Sequence, residues 1–167
     1  MKLDFCPTCG ASLHPINDTH YRCVNDHDYF NNPRTAVALI LVNEQNQLLF
    51  AERARDPQKE KYDFPGGFVD FGETAEEAAE REIKEELGVK PLNLTLVTTI
   101  ANHYDDLTAT VDCIYICRAW EGELTPADDV ASVAWHPVSF IESPDFAWPE
   151  GYKHLPSILR DILSLKS

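Results

Sequence analysis

The stretch from Gly67 to Val89 constrains the chain most, because within it Thr74 to Leu87 reads as an amphipathic helix, entered by a glycine loop, with its charges in an awkward place. Thr74 and Glu77 have the spacing of a capping box, and Gly88 is a natural helix stop. At 100° per residue, Ala79, Ile83 and Leu87 form an apolar stripe. Glu82, Glu85 and Glu86 fall in an adjoining arc of roughly 100°, which Ala75 and Ala78 share. The alanines leave room above the carboxylates, and three glutamates converging beside a buried stripe repel one another. A cation between them would relieve that repulsion. Hard oxygen donors suit Mg²⁺ or Mn²⁺, and Mg²⁺ readily completes its shell with substrate phosphates. The competing reading is a solvated acidic face, the commoner fate of a charge run.

The rest of the chain supplies a core for such a helix. It has 167 residues, 44% of them hydrophobic, and the change at Asn31-Asn32-Pro33 divides it into 1–32 and 33–167. Beyond Pro33, TAVALILV and QLLFAER read as strands joined at Glu44-Gln45-Asn46. The polar loop RDPQKEKYDFPGG follows. LNLTLVTTIANHY and TATVDCIYICRAW are strands joined across Asp105-Asp106, and VASVAWHPV is another. The final helix spans 155–165, with Pro156 in its first turn. Strands and helices mix without regular βαβ alternation, which favours an α/β fold with a mixed sheet packed between helices.

Residues 1–32 have almost no aliphatic periodicity and need a staple. Cys6-Pro-Thr-Cys9-Gly10 is half of a tetrahedral thiolate site, and Cys23 and His27 complete a Cys3His set for structural Zn²⁺. His14, His20 and Asp26 are rivals for the fourth position, and a Cys6–Cys9 disulfide is a lesser alternative. Cys113 and Cys117 lie about 13 Å apart along one strand, too far to bridge, and read as small core residues. The odd cysteine count and the opening MKLDFCPTCG, which lacks an apolar export signal, set the expectation of a reducing cytoplasm. No apolar run approaches membrane-spanning length. With 28 acidic and 14 basic residues, a net charge of -14 argues against nucleic acid and anionic lipid as partners.

The stretch from Gly67 to Val89 resembles the Nudix box, G-x5-E-x7-R-E-U-x-E-E-x-G-U, at every specified position. FPGGFVDFGET, the preceding hairpin, AWHPV and the last helix extend the resemblance over residues 33–167. The front segment resembles the zinc ribbon of some Nudix hydrolases, including the NADH pyrophosphatase group. It departs from them in having Asp26 at the last cysteine's usual place, and the chain has no SQPWPFP-like signature. The resemblance implies an α/β/α sandwich with a mixed sheet, and divalent-metal hydrolysis of a nucleoside diphosphate linked to another moiety. It implies Glu82, Glu85 and Glu86 as metal ligands, with the Gly67 carbonyl as an added donor. Glu73 and Arg81 would brace loop and helix, and Arg81 is also spaced to pair with Glu77 and Glu85.

In the family the general base is either a box glutamate or an acid in a later loop. In EGELTPADDVASVAW, Asp129 is the favoured later candidate, ahead of Asp128, although the segment also reads as a solvated turn. Arg53 and Arg55 follow a strand and could meet phosphates, or be surface charge. Phe64 is expected in the core. Phe146, Trp148 and Tyr152 are expected to cover it, with base stacking or a homodimer contact as alternatives. His103, His136 and His154 lack metal spacing. The leading expectation is a Mg²⁺-dependent pyrophosphohydrolase of small nucleotide substrates, favouring ADP-ribose-like or dinucleotide compounds. The alternative is a ligand-binding or regulatory protein whose ribbon contacts nucleic acid or protein.

Overall fold

The structure, a computed structural model, describes residues 4–164. Strands β1 (Leu13–Pro15), β2 (His20–Cys23) and β3 (Asp28–Phe30) form a small antiparallel sheet. Among the described residues its buried cluster is Cys6, Leu13, Tyr21 and Cys23, with Ala11 and Tyr29 packed against it, too little apolar surface to hold a fold alone.

Strand β4 (Arg34–Leu41) organises the remainder. Its side chains alternate between two cores, Ala38 and Ile40 on one face and Val37, Leu39 and Leu41 on the other, as the two-residue period of a strand requires. β5 (Leu48–Arg53) does the same, with Leu48 and Phe50 on the first side and Leu49 and Ala51 on the second. Helix α1 (Ala75–Leu87) covers the second core through Ala78, Ala79, Ile83 and Leu87. Helix α2 (Leu155–Ser164) covers the first through Leu155, Leu159 and Leu163. The expected layering of helix, sheet and helix is therefore observed. The last residue expected in α2, residue 165, lies outside the described residues.

Strand pairing differs from one continuous mixed sheet. β4 runs parallel to β9 (Ala109–Cys117), and β9 pairs antiparallel with β8 (Thr95–His103). β5 pairs instead with β11 (Val130–His136) and with β6 (Tyr62–Asp63), a two-residue strand inside the expected polar loop. β7 (Lys90–Leu92) and β10 (Ala119–Glu121) form a separate ribbon. The split has a local cause. The edge of β4 away from β9 is taken by residues 65–69: Leu39 N–H donates to Pro65 O, Val37 N–H to Gly67 O, and Val69 N–H to Thr35 O. Only the Val42–Leu48 bridge is left between β4 and β5.

Cys117 is buried and Cys113 half-buried against the α1-side core, both as free thiols. Phe64, Phe146 and Tyr152 are buried in the α2-side core, and Trp148 packs at its margin. His103 and His154 are exposed, and His136 stacks on Phe140. Among the described residues no helix is long and apolar enough to cross a membrane.

Candidate active site

The site is built where the edge pairing of β4 meets α1. Gly66 has φ +148, and a Cβ there would lie 2.1 Å from Val37 O; at Gly67 it would lie 2.5 Å from Glu82 Oε1. Only glycine lets the loop pass between strand and helix at this distance. The helix is held in register by its capping box, Glu77 N–H to Thr74 Oγ1 at 3.2 Å and Thr74 N–H to Glu77 Oε2 at 2.8 Å. Gly88 ends it in the left-handed conformation at φ +70.

Arg81 ties loop and helix together. Its Nε and Nη2 donate to the two oxygens of Glu73 at 2.7 and 2.9 Å, Nη1 to Glu82 Oε1 at 2.8 Å and Glu85 Oε2 at 3.2 Å, and Nη2 to Phe68 O at 3.0 Å. The hydrogen bonds from Arg81 hold the Glu73 carboxyl down to about 2. The spacing-based pair with Glu77 does not form, because that carboxylate is committed to the cap.

The three box glutamates occupy unequal surroundings. Glu85 is exposed. Glu82 lies against Gly67, and burial raises its carboxyl pKa despite Arg81. Glu86 is 5% exposed and accepts Gly66 N–H at Oε2, 2.9 Å away. Burial first, and then Asp129 beside it, pushes the Glu86 carboxyl up to about 10. Asp129 arrives because its loop is hooked to the end of α1, by Thr125 N–H to Leu87 O and Ala127 N–H to Glu86 O. Ala54 N–H to Asp129 O then pins it to the end of β5. The Gly67 carbonyl accepts Val37 N–H and keeps a second lone pair facing other donors or a cation. Glu82, Glu86 and Asp129 are hard oxygen donors, and no salt bridge among the described residues reaches Glu86 or Asp129. Their oxygens are not gathered as a preformed site: among the described residues the only group of three or more His, Cys, Asp or Glu side chains with ligand atoms all within 4.8 Å of one another is Cys6, Cys9, Cys23 and His27. A divalent cation would have to draw these carboxylates together.

The two arginines separate. Arg55 is exposed and pairs with Asp128, Nη2 to Oδ1 at 2.5 Å. Arg53 enters the cleft beside the glycine loop, donating to Pro57 O at 2.7 Å and lying 3.7 Å from Asp63. It also packs its guanidinium on Trp148, 4.9 Å from the ring centroid. Asp63 was not anticipated from sequence. Burial pushes its carboxyl up to about 7 against the pull of Arg53, and it shares a small cavity with Glu86, Asp129 and Gly66. Its only sequence signal is its place next to Phe64-Pro65.

In the small N-terminal sheet, the ligand atoms of Cys6, Cys9, Cys23 and His27 all lie within 4.8 Å of one another. Hydrogen bonding, chiefly from the Asn25 side chain, holds the Cys9 thiol down to about 6, and thiolates are what a metal takes up. Of the rivals for the fourth position, His20 instead pairs with Asp28 at 2.7 Å and stacks on Phe30.

The Glu86 shift has a stability consequence. Its folded pKa lies above its unfolded value, so its contribution is fully present below about pH 4.5 and is lost as pH rises toward 10. In Mg²⁺-free buffer, Glu86→Gln should therefore gain on the wild type across that window, with a limiting slope of about 1.4 kcal/mol per pH unit. Thermal melts at pH 5, 7 and 9 should show a widening difference. A pH-independent difference would contradict the buried, protonated carboxyl.

A Nudix domain profile matches residues 32–157. The 8-oxo-dGTP diphosphatase of Escherichia coli (strain K12) is 35% identical over 85 residues, 50% of this chain and 65% of that protein. The ADP-ribose pyrophosphatase of Methanocaldococcus jannaschii is 36% identical over 90 residues, 53% of this chain and 53% of that protein. The chain thus aligns with 53% to 65% of the length of these two curated relatives. The crystal structure of a NUDIX hydrolase from Nitrosomonas europaea superposes with a TM-score of 0.72 at 21% identity, covering 97% of this chain and 93% of that one, which bears on the fold alone. With a profile match over residues 32–157, reaching into α2, the chain belongs to the Nudix family.

Proposed function

We propose that this chain is a Mg²⁺-dependent pyrophosphohydrolase that cleaves a nucleoside diphosphate linked to another moiety. Glu86 carries the argument: a carboxyl buried between loop and helix, beside Glu82 and Asp129, without a cationic side chain against it. Such a group is costly unless a bound cation uses it. Glu82 and Glu86 would hold Mg²⁺ or Mn²⁺, with Glu85 at the outer edge and the Gly67 carbonyl as a further donor. When bound, the metal polarises phosphoryl oxygens and lowers the pKa of water. Asp129 accepts the attacking water's proton, while Arg81 keeps the glutamates in place and Arg53 faces the substrate phosphates. ADP-ribose-like and dinucleotide substrates are favoured over nucleoside triphosphates, supported by the ribbon's resemblance to that of NADH pyrophosphatases and by the relative that acts on ADP-ribose. Glu82, Glu86 and Asp129 gathered around one loop favour catalysis over a purely regulatory Nudix fold.

A hydrolysis panel tests this reading with ADP-ribose, NADH, a dinucleoside polyphosphate, a nucleotide sugar and 8-oxo-dGTP, each with Mg²⁺ or Mn²⁺. Turnover of the first three ahead of 8-oxo-dGTP is expected. Asp129→Asn should lower kcat by roughly 10²-fold or more with KM little changed, as for loss of a general base. Turnover of 8-oxo-dGTP alone would refute the substrate class, and an inert panel would refute the enzyme. Near wild-type kcat in Asp129→Asn would return the base to Glu82 or Glu85.

We also propose that residues 1–32 are a zinc ribbon closed by Cys6, Cys9, Cys23 and His27, in a protein of the reducing cytoplasm. Freshly purified protein should carry about one zinc per chain, as a single four-ligand site requires. Cys23→Ser should lower the melting temperature far more than kcat. Metal analysis that finds no zinc in chelator-free preparations would overturn the assignment.

A further inference from the structure

Behind the glycine loop the cleft ends on buried polar groups that phosphate chemistry does not use. On the α2 side of the sheet, β9 contributes Ile114 and Ile116 to the apolar core, but the preceding residues on that face are Asp112 and Thr110. Asn102 of β8 lies opposite Thr110. Asp112 is 5% exposed, Thr110 and Tyr152 are each 3% exposed, and Asn102 is 9% exposed. Tyr152 Oη donates to Asp112 Oδ2 at 3.0 Å, and Asn102 Nδ2 donates to the same oxygen at 3.3 Å. Among the described residues Asp112 Oδ1 accepts no hydrogen bond, and no cationic side chain pairs with this carboxylate. Thr110 Oγ1 is buried with no hydrogen-bond partner.

A buried carboxylate without a cation and a buried hydroxyl without a partner each cost stability, and finding both in one cleft calls for a ligand that satisfies them. Both groups line the cleft that also holds Gly66, Gly67 and Arg53. Its walls offer flat surfaces: Tyr104 and Trp148 stack 5.6 Å apart, with the Arg53 guanidinium on Trp148. Ala36, the cross-strand neighbour of Asp112, and Ala38 line the same cleft with small side chains, and its free volume of about 60 Å³ means that a base must widen it to reach Asp112. Planar walls suit an aromatic ring, and a carboxylate acceptor next to a hydroxyl donor suits a ring edge with an N–H beside a bare nitrogen.

We propose that this cleft reads the substrate's nucleobase, and that Asp112 and Thr110 select a base with an amino group next to a ring nitrogen, the edge of adenine or cytosine. Asp112 Oδ1 accepts the amino N–H, and Thr110 Oγ1 donates to the ring nitrogen. The oxo counterparts, hypoxanthine and uracil, place a carbonyl oxygen against the carboxylate and are rejected. This inference rests on the proposed nucleotide substrate and deepens it by naming the base class.

The test reads binding without turnover. The zinc-loaded full chain in Mg²⁺-free buffer is titrated calorimetrically with AMP against IMP, and with CMP against UMP. AMP and CMP should bind about tenfold or more tightly than their oxo partners, the scale of one hydrogen bond to a charged group. Asp112→Asn should collapse that preference. Thr110→Val removes an unpartnered hydroxyl, so its melting temperature should hold or rise while AMP binding weakens, a split that a merely structural role would not produce. Equal affinities within each pair, no binding of any monophosphate, or a preference that survives both substitutions would overturn the proposal. Hydrolysis of the substrate panel without base preference would reject only the base reading. Base-selective binding with an inert panel would reject only the enzyme.

Discussion

The contact of Glu86 with the Gly66 backbone is the constraint on which the rest depends. It requires a loop with no Cβ at two successive positions, pressed between β4 and α1. That pressing takes the free edge of β4 and sends β5 to pair elsewhere. The helix must then present a carboxylate on its core side, where burial drives the carboxyl up to about 10. A protein that only had to be stable would place an apolar residue there. Keeping a glutamate costs stability, and under the proposed function the offset is a divalent cation that displaces its proton.

Arg81 explains why the cost falls on a few groups. Its guanidinium gathers Glu73, Glu82 and Glu85, so one positive charge is shared among the outer carboxylates and eases their mutual repulsion without cancelling it. Glu86 and Asp129 lie beyond its reach, and Asp63 has only a long pairing with Arg53. The site is graded from paired carboxylates at the rim to unpaired ones inside. That gradient fits the proposed function, in which a divalent cation that keeps part of its water shell would sit at the inner end and substrate phosphates toward the mouth.

Local periodicity made the helix, its caps, its apolar stripe and most strands legible in the sequence, because each depends on residues within one or two turns or a few positions. The cysteine spacing likewise indicated the grouping of Cys6, Cys9, Cys23 and His27. What the sequence did not reveal depends on distant chain segments. Asp129 was legible as a candidate base, but within a segment that also reads as a turn, and what brings it beside Glu86 is backbone bonds at Thr125 and Ala127 that hook its loop onto α1. Asp63, Asp112 and Thr110 sit in segments whose alternation looks like ordinary strand or loop, and they share their cleft with Trp148 and Tyr152 of the distant aromatic loop, Tyr152 bonding directly to Asp112. Arg53 and Arg55 are two residues apart and alike in sequence, yet one faces the cleft and the other solvent, since β5 ends at Arg53 and Arg55 follows in the loop beyond it, where it pairs with Asp128.

If Glu86 is a metal ligand, as proposed, it must surrender a proton when the ion binds. Calorimetric titration of Mg²⁺ at pH 7.5, in buffers of differing ionisation enthalpy, counts the protons released on binding. Close to one proton per bound Mg²⁺ is expected from the wild type, and close to none from Glu86→Gln if it still binds the ion. Mg²⁺ binding with no proton release in the wild type would contradict the claim.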